Sequence, residues 1–155
     1  MEFLWLKWLH ILSATVLFGT GLGTAYFKWT TDRSGDVHAI AVVMRRVVWA
    51  DWIFTTTTIF IQPITGLWMA HLAGYPLTQG WVGWSLALYA LAGACWLPVV
   101  WLQLRMRDMA VQAAAENGDL PTTYHRLARL WYWLGIPAFA ALLVVYYLMV
   151  FRPTV

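Results

Sequence analysis

Two ionisable residues lie deep in apolar stretches, and each points to a chemistry. His10 stands in the run LWLKWLHILSATVLFG. A neutral imidazole there either hydrogen-bonds within a core or ligates a metal, most naturally a haem iron in a helical membrane bundle. Asp51 opens a second pattern, in which Asp51, Thr55, Thr58, Gln62 and Thr65 recur at spacings of four, three, four and three. On an ideal helix these positions fall within about 40° of Asp51, and in lipid such a face points into the bundle or a cavity. It is either interhelical glue, with threonines bonded back to their own helix, or a path for protons beside a carboxylate. Asp51 is expected to pair with a basic residue at its own level, Arg105 first, with Arg46 or Arg129 as alternatives.

At 1.5 Å per residue His10 lies roughly 9–13 Å below the outer surface. Gln62, Tyr89 and Tyr146 fall at similar depth. A polar layer around His10 is expected, whose members would face a bound group or fix the imidazole tautomer. Ser13, Leu17, Gly21 and Thr24 share the face of His10, and Gly21 leaves room for something flat. His71 is the obvious second ligand, but it sits about 9 Å or more shallower and about 160° away from the Asp51 stripe. His38 and His125 belong to the opposite side of the membrane. Bis-histidine ligation is therefore not expected, and the absence of CxxCH excludes covalent c-type haem.

The elements that position these residues are set by composition. Of 155 residues, 61% are hydrophobic and 11% charged, with mean hydropathy +0.63, outside the range of a water-soluble domain. A membrane helix needs roughly 20 apolar residues. The chain supplies that length near residues 4–27, 47–70, 81–104 and 130–151. The expected fold is an all-α integral membrane four-helix bundle forming a single domain over 1–155. The first span resembles a signal peptide, yet its apolar stretch continues past Ser13 and Ala14 to Phe27, as an uncleaved helix would.

Lys28, Arg33, Arg45, Arg46, Arg105, Arg107, Arg126 and Arg129 flank the first and third loops, leaving only Lys7 and Arg152 elsewhere. The positive-inside rule then places those loops in the cytoplasm and both termini outside, with bacterial inner-membrane localisation. A net charge of +3, scattered along the chain, is no nucleic-acid footprint. Asp36 is placed to cap the second helix, and the short outer loop from His71 to Gly80 predicts that helices two and three are antiparallel neighbours. Helix three is expected to stop at Asn117 and Gly118. Pro63, Pro98 and Pro137 lie inside spans, and Gly19 with Gly23 offers a close-packing pair. Cys95 reads as a small buried residue.

Trp5, Lys7 and His10 in the string WLKWLH resemble the W-x-K-x-x-H opening of the HemJ-type protoporphyrinogen IX oxidases, small helical membrane proteins that bind haem b. Arg46 before Thr55-Thr56, the pair Gly66-Leu67, Gly80-Trp81 and the closing VFRP of Val150 to Pro153 extend the likeness more loosely. The whole chain, including GACWLPVVWLQLRMRD, is also similar to a bacterial family of predicted integral membrane proteins without assigned function, distantly related to that group. The resemblance implies haem b with His10 as its iron ligand. It does not imply porphyrinogen oxidation: Gly83 and Ser85 stand where that group has His and Lys, and its proline after Thr-Thr and its Asn-Glu-x-Pro element are missing.

Residues and resemblance together point to a haem b membrane protein in electron transfer or the oxidation of a small lipophilic substrate. His10 is the metal ligand, Gln62, Tyr89 and Tyr146 surround the cofactor, and Asp51 with Arg46 are the catalytic candidates. Quinone and porphyrinogen are conceivable substrates within the bilayer, and homo-oligomerisation is left open. The alternative is a non-catalytic four-helix module that binds a partner protein or a lipid.

Overall fold

The first helix, α1 (Glu2–Ser34), ends where Gly35 takes the left-handed conformation, φ 70°. Asp36 then caps α2 (Val37–Ala50), its carboxylate accepting from the backbone N–H groups of His38 at 2.9 Å and Ala39 at 3.1 Å, as the sequence predicts. The chain runs on through a π-helical turn (Asp51–Thr55) into α3 (Thr56–Leu72), so these three segments form one rod. Then come α4 (Gly80–Ala115), ending just before the expected stop at Asn117, and α5 (Thr122–Phe151). This computed structural model describes residues 1–78 and 80–153. Among them there is no strand: the protein is all-helical, with four helical rods.

The four expected spans fall within these rods. α1, α4 and α5 are each long and apolar enough to cross a membrane, while in the second rod the π turn leaves α3 only 17 residues. Large apolar side chains such as Leu4, Trp133, Ile136 and Val150 are exposed on the outside, as a lipid-facing surface requires.

The basic half of the bundle, which the charge rule places inside, holds the dense core. Ile40, Met44, Leu102, Met106, Ala110 and Tyr124 pack between α2, α4 and α5 there. Beside them Lys28 is fully buried, with its ammonium 5.3 Å from the ring centres of Tyr124 and Tyr132 and 5.5 Å from that of Trp131. Its counter-ion is Asp32, one turn on, which also accepts from the Tyr124 hydroxyl at 2.7 Å. An aromatic box plus one carboxylate gives a desolvated ammonium what water would have given it. It also ties α1 to α5.

Helices two and three are the antiparallel neighbours expected, through α2 packed along α4 in the inner half, but in the outer half they part. α3 and α4 leave the same short loop yet barely touch. The polar stripe turns α3 toward α1, where the Gln62 amide donates to the His10 carbonyl at 2.8 Å. The glycine pair is not used either. A Cβ at Gly19 or Gly23 would meet nothing within 4 Å, since α1 approaches its neighbours by the opposite face, through His10 and Ser13, and Gly21 on that face also has open space around it.

Candidate functional site

Between the splayed helices lies a cavity of about 490 Å³, lined from α1, α3, α4 and α5. That volume is in the range of small-molecule sites, about 300–1,000 Å³. Phe3, Ile11, Leu67, Leu86, Val145 and Met149 contribute apolar wall, and His10, Gln62, Tyr89 and Tyr146 all line it. The structure thus brings together the four residues that the depth count grouped.

Backbone chemistry fixes three of them. Pro63 has no N–H, so the carbonyl four residues back, that of Ile59, lacks its helical donor. The Tyr89 hydroxyl donates to that carbonyl at 2.8 Å, bridging α4 to α3. The Tyr146 hydroxyl donates to the Ala14 carbonyl at 2.8 Å, bridging α5 to α1. With Gln62 on the His10 carbonyl, all three side chains position backbone rather than touch the imidazole. The expectation that one of them fixes the tautomer is therefore corrected.

Thr65 holds the imidazole instead. Its hydroxyl lies 2.7 Å from His10 Nδ1 and donates its own proton to the Ile61 carbonyl, also at 2.7 Å. When that proton stays on the carbonyl, the Thr65 oxygen accepts from Nδ1–H, and Nε2 then keeps its lone pair. The side-chain hydrogen bond on the ring runs through Nδ1. The ring itself packs edge-on against α3, where a Cβ on Gly66 would stand 3.2 Å from His10 Cε1. Gly66 is thus the position where a side chain would press the imidazole away. Thr65 was visible as a member of the stripe one turn beyond Gln62. Only the packing of α1 on α3 reveals it as the partner of His10.

The inner end of the stripe behaves differently. Thr55, Thr58, Gln62 and Thr65 are buried toward α1, but Asp51 begins the π turn and accepts from Trp96 Nε1 on α4, at 3.2 and 3.4 Å to its two oxygens. The wider turn interrupts the 3.6-residue period at this point. The expected ion pair is not formed. Among the described residues the salt bridges are Lys28–Asp32 and Arg107–Asp108, and Arg46, Arg105 and Arg129 are exposed. Solvated guanidinium groups avoid the desolvation that pairing inside the bundle would cost. Neither Asp51 nor Arg46 lines the cavity. His71 is exposed and stands apart from it, in agreement with the depth count.

The donor set can be weighed against the group that the sequence suggests. Among the described residues no three His, Cys, Asp or Glu side chains gather as a metal site. A bare transition-metal ion typically takes three or four protein ligands, whereas a tetrapyrrole brings its own nitrogens and needs from the protein one strong axial ligand. A single imidazole held through Nδ1 at the edge of an apolar cavity fits the second case.

Comparison with curated proteins finds no match, and neither does comparison with solved structures. Residues 4–153 match the family described as predicted integral membrane protein (DUF2269), a match that carries no specific link to the HemJ-type oxidases. A multi-pass helical bundle embedded in lipid is what that description and these helices share, and on the match over nearly its whole length the chain belongs to the DUF2269 family of predicted integral membrane proteins.

Proposed function

We propose that the outer cavity binds haem b, with His10 as axial ligand, in a membrane protein of electron transfer or of oxidation of a small lipophilic substrate. The observation that carries this reading is the Thr65 oxygen, 2.7 Å from both His10 Nδ1 and the Ile61 carbonyl, an arrangement satisfied when Nδ1 carries the hydrogen and Nε2 keeps its lone pair. Thr65 orients the imidazole, and the Tyr89 and Tyr146 bridges tie together the helices that wall the cavity. Bound haem would supply one-electron chemistry, and the protein would supply the ligand and the apolar surroundings. Quinone and porphyrinogen are the substrate classes that suit a site within the bilayer.

The test is the absorbance of gently purified protein, as isolated and after titration with haemin. A Soret band that shifts with dithionite is expected, lost in His10→Ala and largely retained in His71→Ala. The competing reading, a non-catalytic module that binds a partner protein or a lipid, predicts folded protein that stays colourless throughout. That outcome overturns the haem assignment.

A further inference from the structure

The ten basic residues are not distributed evenly, and the exceptions share one place. Eight flank the inner loops; the two that do not, Lys7 and Arg152, both line the cavity. Basic residues are disfavoured on the outer side of short-looped membrane proteins, so two that converge on one cavity call for a local cause. No carboxylate among the described residues lies within ion-pair distance of either.

Both are placed by the fold. Lys7 precedes His10 by three residues on α1, so it stands on the same face about 4.5 Å further out along the axis. Arg152 terminates α5 in the left-handed conformation, φ 45°, with its N–H bonded to the Leu148 carbonyl at 2.9 Å. Its guanidinium lies 5.8 Å from the ring centre of Trp81 and donates through Nη1 toward the Tyr75 hydroxyl at 3.4 Å. That contact uses one of five N–H donors and leaves the others available. The cavity therefore has a direction: a neutral imidazole within, apolar walls, and two cations at the outer rim.

We propose that Lys7 and Arg152 are the anion-binding rim of this cavity, so that its ligand is a flat apolar molecule with carboxylates along one edge. The reading rests on the haem site above and deepens it, since a porphyrin with two propionates has that form and a neutral quinone does not. Charge-assisted bonds to exposed cations are individually modest, but two acting on one ligand set its orientation.

Metal-free protoporphyrin IX and its dimethyl ester separate anchoring from iron ligation, because neither can bind through His10. The full-length protein in detergent is titrated with each, and binding is followed by quenching of tryptophan fluorescence. The free acid should bind about tenfold more tightly than the ester, with the preference weakening as salt rises. Lys7→Gln with Arg152→Gln should bring the acid to the level of the ester and leave the ester unchanged. Lys7→Arg with Arg152→Lys should keep the preference. Equal affinity of acid and ester in a protein that still shows a His10-dependent Soret band overturns the anionic rim and leaves the haem site standing. Failure to bind any of these tetrapyrroles, haemin included, overturns both. Displacement of the acid by phosphatidylglycerol but not by phosphatidylcholine would assign the rim to a lipid headgroup and overturn the carboxylate ligand.

Discussion

The inner and outer halves of this bundle are made of the same helices and solve opposite problems. In the inner half α2, α4 and α5 close on a core in which Met44, Met106 and Ala110 have no exposed surface, and even an ammonium is sealed in by three aromatic rings. In the outer half α3 turns to α1, α4 stays with α5, and the space between them is a cavity. Helices that touch tightly at one end can diverge at the other only if something else satisfies them there. Here the Gln62, Tyr89 and Tyr146 bonds to backbone carbonyls do so, each spanning two helices. Dense packing and open space are thereby assigned to different ends of one short protein.

The division can be broken most severely at Asp32. Asp32→Ala strands the buried Lys28 ammonium, and loss of one member of a buried pair costs about 3–5 kcal/mol. A corresponding fall in the SDS-unfolding midpoint is expected, with the Lys28→Met, Asp32→Ala double variant recovering much of it. Absence of recovery would mean that the aromatic box and not the ion pair holds this end together.

Packing gives the next contrast. Leu102 is 1% exposed in the inner core, and Leu102→Ala should cost about 2–5 kcal/mol through lost contacts and the void left behind. Leu86 borders the outer cavity, so part of its surface faces empty space already. Leu86→Ala should cost under about 1 kcal/mol, since few contacts are lost. Similar losses at the two positions, measured by the same unfolding assay, would erase the distinction between a dense half and an open one.

The binding half is sharpened by Thr65. Thr65→Val removes the acceptor that fixes Nδ1–H and should weaken haemin binding about 10–100-fold with little change in stability, while Thr65→Ser should bind nearly as wild type. A haemin titration of the three proteins decides it, and a valine variant that binds as tightly as the parent would detach the tautomer from the function. The smallest effect is expected at the junction. Asp51→Asn keeps an oxygen to accept from Trp96 Nε1, so its cost should be about 1 kcal/mol or less. Neutralising Arg46, Arg105 or Arg129 in that background should restore nothing, because no ion pair is present to rebalance; recovery would place one of these arginines against the carboxylate.

Much of the architecture is legible in the chain itself. Apolar spans of membrane length, clustered arginines, and Gly35 with Asp36 just before Val37 give rods, sidedness and a capped second helix, because each depends on a few neighbouring residues and on the solvent they meet. The depth count also groups His10 with Gln62, Tyr89 and Tyr146, since rise per residue is the same in every helix. Register around the axis is less secure. Thr55, Thr58, Gln62 and Thr65 are buried as the stripe predicts, and at Asp51 a π turn interrupts the 3.6-residue period that the count assumes.

Hydropathy, charge and helical rise, all read from the sequence alone, thus determined an all-helical membrane bundle with a polar level around His10. Only the tertiary structure decided that Lys28 is the buried cation, that α3 prefers α1 to α4, and that Thr65 meets His10 Nδ1 beside a cavity lined by Lys7 and Arg152. The reason is physical. Burial of an ammonium, the acceptor of a hydroxyl proton and the gap between two helices are properties of pairs of residues on different rods, and no local period in the chain encodes which rods meet.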